Sequence, residues 1–131
     1  FVDRALSGER LTVYQPGTQA RNFVHVKDVA RAYVRSAERL VEQVANGVTG
    51  IETYEIAGQE DMSVMAVAEI VQEAMEAERG TTVAINLVEN PRSDETMVEE
   101  FGVDISAAKA ALRWEPAESI RDSIQQLIRQ E

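Results

Sequence analysis

Apolar residues at positions 26, 29, 30, 33, 34, 37, 40 and 41 recur at intervals of three and four, with Arg31, Arg35, Glu38 and Arg39 between them. That spacing predicts a helix with one apolar stripe, because an α-helix turns about every 3.6 residues. Asp28 falls in its first turn, where the helix dipole favours an acid. A second helix is predicted over 64–80, with Val64, Val67, Ala68, Val71, Ala74 and Met75 on one face, Ser63 as N-cap and Gly80 as stop. Shorter helices are expected over 1–6, over 106–112 behind a capping Asp104, and over 118–129, where Ile120, Ile124, Leu127 and Ile128 align. β-prone runs lie between them at 11–14, 22–26, 53–57 and 82–88, punctuated by Pro16-Gly17 and Gly58.

The pattern is mixed α/β, without internal repeats or low-complexity tracts. Three or four short strands do not complete a doubly wound sheet. Because the chain opens inside a helix with no cap or strand before it, the expectation is a portion of a longer protein.

Composition narrows the function classes. With 131 residues, 44 % of them hydrophobic, the chain can bury a core. It has no Cys, which excludes a disulfide scaffold, a thiolate metal site and a cysteine nucleophile. No apolar run approaches the roughly 20 residues that span a bilayer, and no signal-peptide pattern is present, so a cytoplasmic protein is expected. Lys plus Arg is 13 against 23 Asp plus Glu, a net charge of −10 that repels nucleic-acid phosphates and acidic lipid. Lys27 and Lys109 are the two lysines beside eleven arginines, the bias of a salt-adapted surface. No dinucleotide glycine fingerprint, P-loop, nucleophile elbow or paired-His motif occurs, so the chain carries no self-contained catalytic set. His25, flanked by Val24 and Val26, is read as structural.

The run Gly17-Thr18-Gln19-Ala20-Arg21-Asn22-Phe23-Val24-His25-Val26-Lys27-Asp28-Val29-Ala30-Arg31-Ala32 resembles the C-terminal portion of the NAD-dependent epimerase/dehydratase family. These are extended short-chain dehydrogenase/reductases, with UDP-glucose 4-epimerase as the best-known type. Leu11-Thr12-Val13-Tyr14, Tyr54-Glu55-Ile56-Ala57-Gly58, Pro91-Arg92-Ser93-Asp94-Glu95 and the stretch from Asp104 to Leu112-Arg113-Trp114-Glu115-Pro116 agree in the same order. Departures are Asn22 for a common Asp, Glu55 for a frequent Asn, and Arg113 for the usual Gly before Trp114.

The resemblance implies that residues 1–131 are a C-terminal nucleotide-sugar-binding portion. Segments 22–60 would face a Rossmann domain that holds NAD and the catalytic Tyr-x-x-x-Lys pair. It implies a nucleotide-sugar substrate and a homodimeric whole enzyme, while the isolated chain is expected to be inactive and prone to artificial or domain-swapped association. Arg21 and Arg92 match the family's two pyrophosphate-binding arginines, whose guanidinium forks suit phosphate oxygens. Glu95 matches the acid that accepts the ribose hydroxyls. Tyr14 would lie against the base, with the backbone of Thr12 and Val13 reading its edge, and Gln19 would order the loop before Arg21. Epimerisation is the first reading, with dehydration or reduction on the same fold as an alternative. A non-enzymatic acidic interaction module is the alternative from another class.

Overall fold

A computed structural model describes residues 1–91 and 102–130. The order is α1 (Val2–Leu6), β1 (Leu11–Tyr14), β2 (Ala20–Phe23), α2 (Val26–Ala45), β3 (Glu60–Ser63), α3 (Val64–Arg79), β4 (Ile85–Val88), α4 (Ser106–Leu112) and α5 (Ile120–Gln130). β1 and β4 pair in parallel, Leu11 opposite Ile85 through Tyr14 opposite Val88, and β2 pairs antiparallel with β3, Ala20 opposite Ser63. The class is mixed α/β, as the alternation of periods predicts.

Local signals set most boundaries. Ser63 Oγ accepts the Ala66 N–H at 3.0 Å and so caps α3, and Gly80 closes it in the left-handed conformation at φ 63°. Asp104 Oδ1 accepts the Ser106 N–H at 2.8 Å ahead of α4, a bond that holds its carboxyl below the usual range.

Two separate cores result. The first joins Ala5, Leu11, Val13, Val71, Ala74, Met75, Val83, Ile124 and Ile128 from α1, β1, α3, α5 and the approach to β4. The second gathers Ala32, Ala57, Ile105, Ala108, Leu112 and Trp114 around α2 and α4. Between them opens a cleft of about 440 Å³, lined by Phe23, His25, Val71, Glu118, Ile120 and Ile124 among others.

The structure corrects the expected strands, and the run expected over 22–26 lies earlier, at Ala20–Phe23, because α2 already begins at Val26. Residues 53–57 form no strand; no neighbouring strand offers a ladder among the described residues, and Tyr54, Ile56 and Ala57 instead pack on the second core. The strand expected over 82–88 shortens to Ile85–Val88, because pairing begins only where β1 begins, at Leu11 opposite Ile85. β3 was not expected at all, since Glu60-Asp61-Met62-Ser63 lacks the β-branched and aromatic residues of a strand; its pairing with β2 creates it. The predicted apolar stripe of α2 exists, but it is bare. Val26, Tyr33, Val34, Leu40, Val41 and Val44 are exposed, Tyr33 by 75 %, and the buried residues of the helix are Asp28 and Ala32.

Candidate functional site

β1 has a paired edge and an open edge. Leu11 N–H donates to Ala84 O at 2.9 Å and Gln15 N–H to Val88 O at 2.8 Å, so the peptide groups of alternate residues 11, 13 and 15 face β4. Strand alternation then turns the peptide groups of Thr12 and Tyr14 to the other edge, which no described strand covers. Val13, expected to help read a base, is instead directed toward β4. The Tyr14 side chain is half exposed at the end of the strand, while the Thr12 hydroxyl accepts from Arg4 Nη1 at 3.3 Å.

From Tyr14 the chain turns through a cis Gln15–Pro16 peptide and Gly17, whose φ is 78°. A Cβ on Gly17 would stand 3.1 Å from Val13 Cγ1, so the turn presses closely on the strand it leaves. The loop is pinned to the start of α3: Met65 N–H donates to Gly17 O at 3.1 Å and Val64 N–H to Gln19 O at 3.2 Å. The Gln19 Oε1 atom is buried without a hydrogen-bond partner. Arg21 follows on β2, exposed, with its Nη1 donating to its neighbour's Ala20 O at 2.9 Å. No carboxylate pairs with it among the described residues.

The three arginines named on the polar side of α2 are occupied. Arg31 Nη2 lies 2.8 Å from Asp28 Oδ1, Arg35 Nη1 lies 2.9 Å from Glu38 Oε2, and Arg39 binds both oxygens of Glu52 at 3.1 and 3.2 Å. The Arg39 guanidinium and the Tyr54 hydroxyl hold the Glu52 carboxyl below its ordinary range. His25 serves the backbone, as read from sequence: its Nδ1 accepts the Lys27 N–H at 3.1 Å and caps α2. Arg92 and Glu95 lie outside the described residues.

Helix starts are the usual alternative cradle for phosphate, and here they are filled. Val64, Met65 and Ala66 N–H groups on α3 are taken by Gln19, Gly17 and Ser63, and on α2 the Lys27 and Asp28 N–H groups bond to His25. Ahead of α5, Ala117 and Glu118 N–H groups donate to Asp28, and Ile120 N–H to Glu60. The described residues therefore do not fit the pyrophosphate of NAD, and an anion here must be met by side chains such as Arg21.

Sequence reading missed Asn22, registered there as a departure. Its Nδ2 donates to Gly58 O at 2.9 Å and Asp61 Oδ1 at 2.8 Å, while its Oδ1 accepts the Gly58 N–H at 2.9 Å. The amide thus fastens β2, the strand of Arg21, to the chain leaving the second core.

Residues 1–57 match the model of the NAD dependent epimerase/dehydratase family. UDP-glucuronic acid decarboxylase 6 of Arabidopsis thaliana is 34 % identical over 124 residues, 95 % of this chain and 32 % of that protein. The dTDP-glucose 4,6-dehydratase 1 of Escherichia coli is 28 % identical over 129 residues, again 95 % of this chain and 32 % of the relative. Among solved structures, a Bacillus cereus UDP-glucuronic acid 4-epimerase in complex with UDP-glucuronic acid and NAD superposes with a TM-score of 0.68 at 24 % identity, covering 98 % of this chain and 38 % of that one. The chain spans about a third of the length of these relatives. The chain is thus similar over residues 1–57 to the NAD dependent epimerase/dehydratase family, and over most of its length to a part of these enzymes.

Proposed function

We propose that this chain is the C-terminal nucleotide-sugar-binding portion of an NAD-linked enzyme acting on a UDP-sugar. One observation carries the reading: the open edge of β1 at Thr12 and Tyr14 is joined by the pinned connection 15–20 to Arg21, which pairs with no carboxylate among the described residues. A uracil edge presents donors and acceptors that peptide groups at residues 12 and 14 complement, with the Tyr14 ring beside it. A pyrophosphate carries the charge that an unpaired guanidinium takes bidentately. The buried Gln19 Oε1, which lacks a donor, suits an N–H or O–H from the same ligand. Arg92 and Glu95 complete the proposal as the second phosphate contact and the ribose acceptor.

The chain supplies binding and orientation. NAD, and the groups that act on the sugar, belong to a Rossmann domain that residues 22–60 would meet. The bare stripe of α2 supports that placement, since a 20-residue helix with exposed Tyr33, Leu40 and Val41 has apolar surface to cover. Epimerisation remains the first reading of the reaction. The matched decarboxylase and dehydratase add sugar decarboxylation beside dehydration as the second. We place the whole enzyme as a homodimer and the isolated chain as catalytically inactive.

Calorimetric titration with UDP, dTDP and AMP tests this. UDP binding that weakens about tenfold or more in Arg21→Ala supports the site, given that hydrogen bonds to charged groups are worth about 1.5–3 kcal/mol. Folded protein that ignores all three nucleotides, or binds UDP equally well without Arg21, overturns it.

A further inference from the structure

The connection between α4 and α5 crosses the N-terminal turn of α2, and one buried carboxylate holds it there. Asp28 is fully buried. Its Oδ2 accepts the N–H groups of Ala117 and Glu118, both at 3.1 Å. Its Oδ1 lies 2.8 Å from Arg31 Nη2 as an ion pair, without the alignment of a hydrogen bond. The main-chain oxygen of Asp28 accepts the indole N–H of Trp114 at 2.8 Å, and Arg31 donates to Glu115 O at 2.5 Å. The bonds from Trp114, Ala117 and Glu118 join positions 86, 89 and 90 residues apart.

This cluster sits where the two cores meet. Ile124 and Ile128 of α5 belong to the first core, whereas Ala32 of α2 and Trp114 belong to the second. Ala117 and Glu118 lie in the connection just ahead of α5, where their part-buried N–H groups need acceptors. Ser119 Oγ caps α5 itself by accepting the Asp122 N–H at 3.0 Å, and the two donors before it are met by Asp28 of α2. The same connection, from Pro116 to Ile120, forms a wall of the cleft of about 440 Å³.

We propose that Asp28 is a positioning residue that sets the orientation of the second core against the first, and with it the width of the cleft. The inference goes beyond the nucleotide reading and does not depend on it. A buried carboxylate costs desolvation that a well-packed apolar side chain avoids. What it supplies in return is direction: two N–H bonds on one oxygen and a cation on the other fix the connection along several axes at once. Packing of Trp114 holds the second core together; Asp28 holds that core to its neighbour.

The chain contains no Cys and one Trp, which makes the test direct. Nitroxide labels on Glu42→Cys in α2 and Gln126→Cys in α5 report the distance between the two cores by pulsed electron paramagnetic resonance. Acrylamide quenching of Trp114 reports access to the joint. In Asp28→Ala the distance distribution is expected to broaden and quenching to rise severalfold, as in a local opening, while helix content and amide protection at Val71 and Ala74 stay at wild-type levels. A folded Asp28→Ala protein with the wild-type distance distribution overturns the proposal. Should that variant fail to fold, Asp28→Asn decides, since it keeps an acceptor for Ala117 and Glu118 but loses the charge opposite Arg31. A broadened distribution there supports the positioning role, and a wild-type one overturns it.

Discussion

Replacing Asn22 by Asp changes one nitrogen to oxygen and leaves shape intact, so it isolates the hydrogen-bond logic of the clamp on Gly58. The native amide uses both of its ends, donating from Nδ2 to Gly58 O and Asp61 Oδ1 and accepting the Gly58 N–H on Oδ1. A carboxylate at this place keeps the acceptor and loses both donors. Two net hydrogen bonds amount to about 2 kcal/mol. Asp61 lies directly opposite in the β2–β3 register, and like charges facing across a ladder add roughly 0.5 kcal/mol of penalty. The surviving bond from Gly58 becomes charge-assisted and returns about 0.5 kcal/mol. The expected loss at neutral pH is therefore about 2 kcal/mol, read from urea unfolding by far-UV circular dichroism and Trp114 fluorescence together.

The sign of the pH dependence follows from the same contacts. Asp61 and the Gly58 carbonyl favour the protonated form of the introduced carboxyl, so its folded pKa lies above its unfolded value of about 3.9. The penalty is full above that folded pKa and shrinks as pH falls through it, where the regained O–H again donates. Adding Asp61→Asn is expected to recover part of the loss at neutral pH. An Asn22→Asp protein within about 0.5 kcal/mol of wild type at both neutral and acid pH refutes the argument, since that difference is no larger than a neutral surface substitution.

Three other outcomes are expected. Gly58→Ala places a Cβ 1.7 Å from Phe23 O, a backbone atom that cannot swing aside; a loss of about 2–4 kcal/mol in urea unfolding is expected from overpacking and the disturbed Asn22 bonds. Arg129 holds the Glu78 carboxyl below its ordinary range, so this pair stabilises above the unfolded carboxylate pKa and is lost as pH falls. Glu78→Gln should accordingly melt below wild type at neutral pH, with the gap closing below about pH 4. The bare stripe of α2 is expected to drive self-association of the isolated chain, and sedimentation of Leu40→Ser with Val44→Ser should then show a shift toward monomer.

The parts of the fold that rest on local chemistry were legible in the sequence. Ser63, Gly80 and Asp104 mark helix boundaries through bonds to residues two to four positions away. The parts that rest on distant partners were not. β3 is strand only because β2 lies beside it, and 53–57 is not strand because no strand among the described residues does. Asp28 was assigned to the helix dipole, whereas its main partners lie near position 117. The candidate site divides in the same way. The order of Tyr14, Gln19 and Arg21 is visible in one segment, but the direction of the Thr12 and Val13 peptide groups needed the pairing of β1 with β4.

The open edge of β1 presents peptide groups rather than side chains. A ligand met by peptide groups is indifferent to the side chain at position 12, provided that the strand keeps its path, whereas position 14 also offers its half-exposed ring. That path is set by Gly17 pressed on Val13 and by the loop fastened to the start of α3. Preference at such an edge would shift through changes in loop length and at Gly17, while an exchange at position 12 would pass nearly unnoticed.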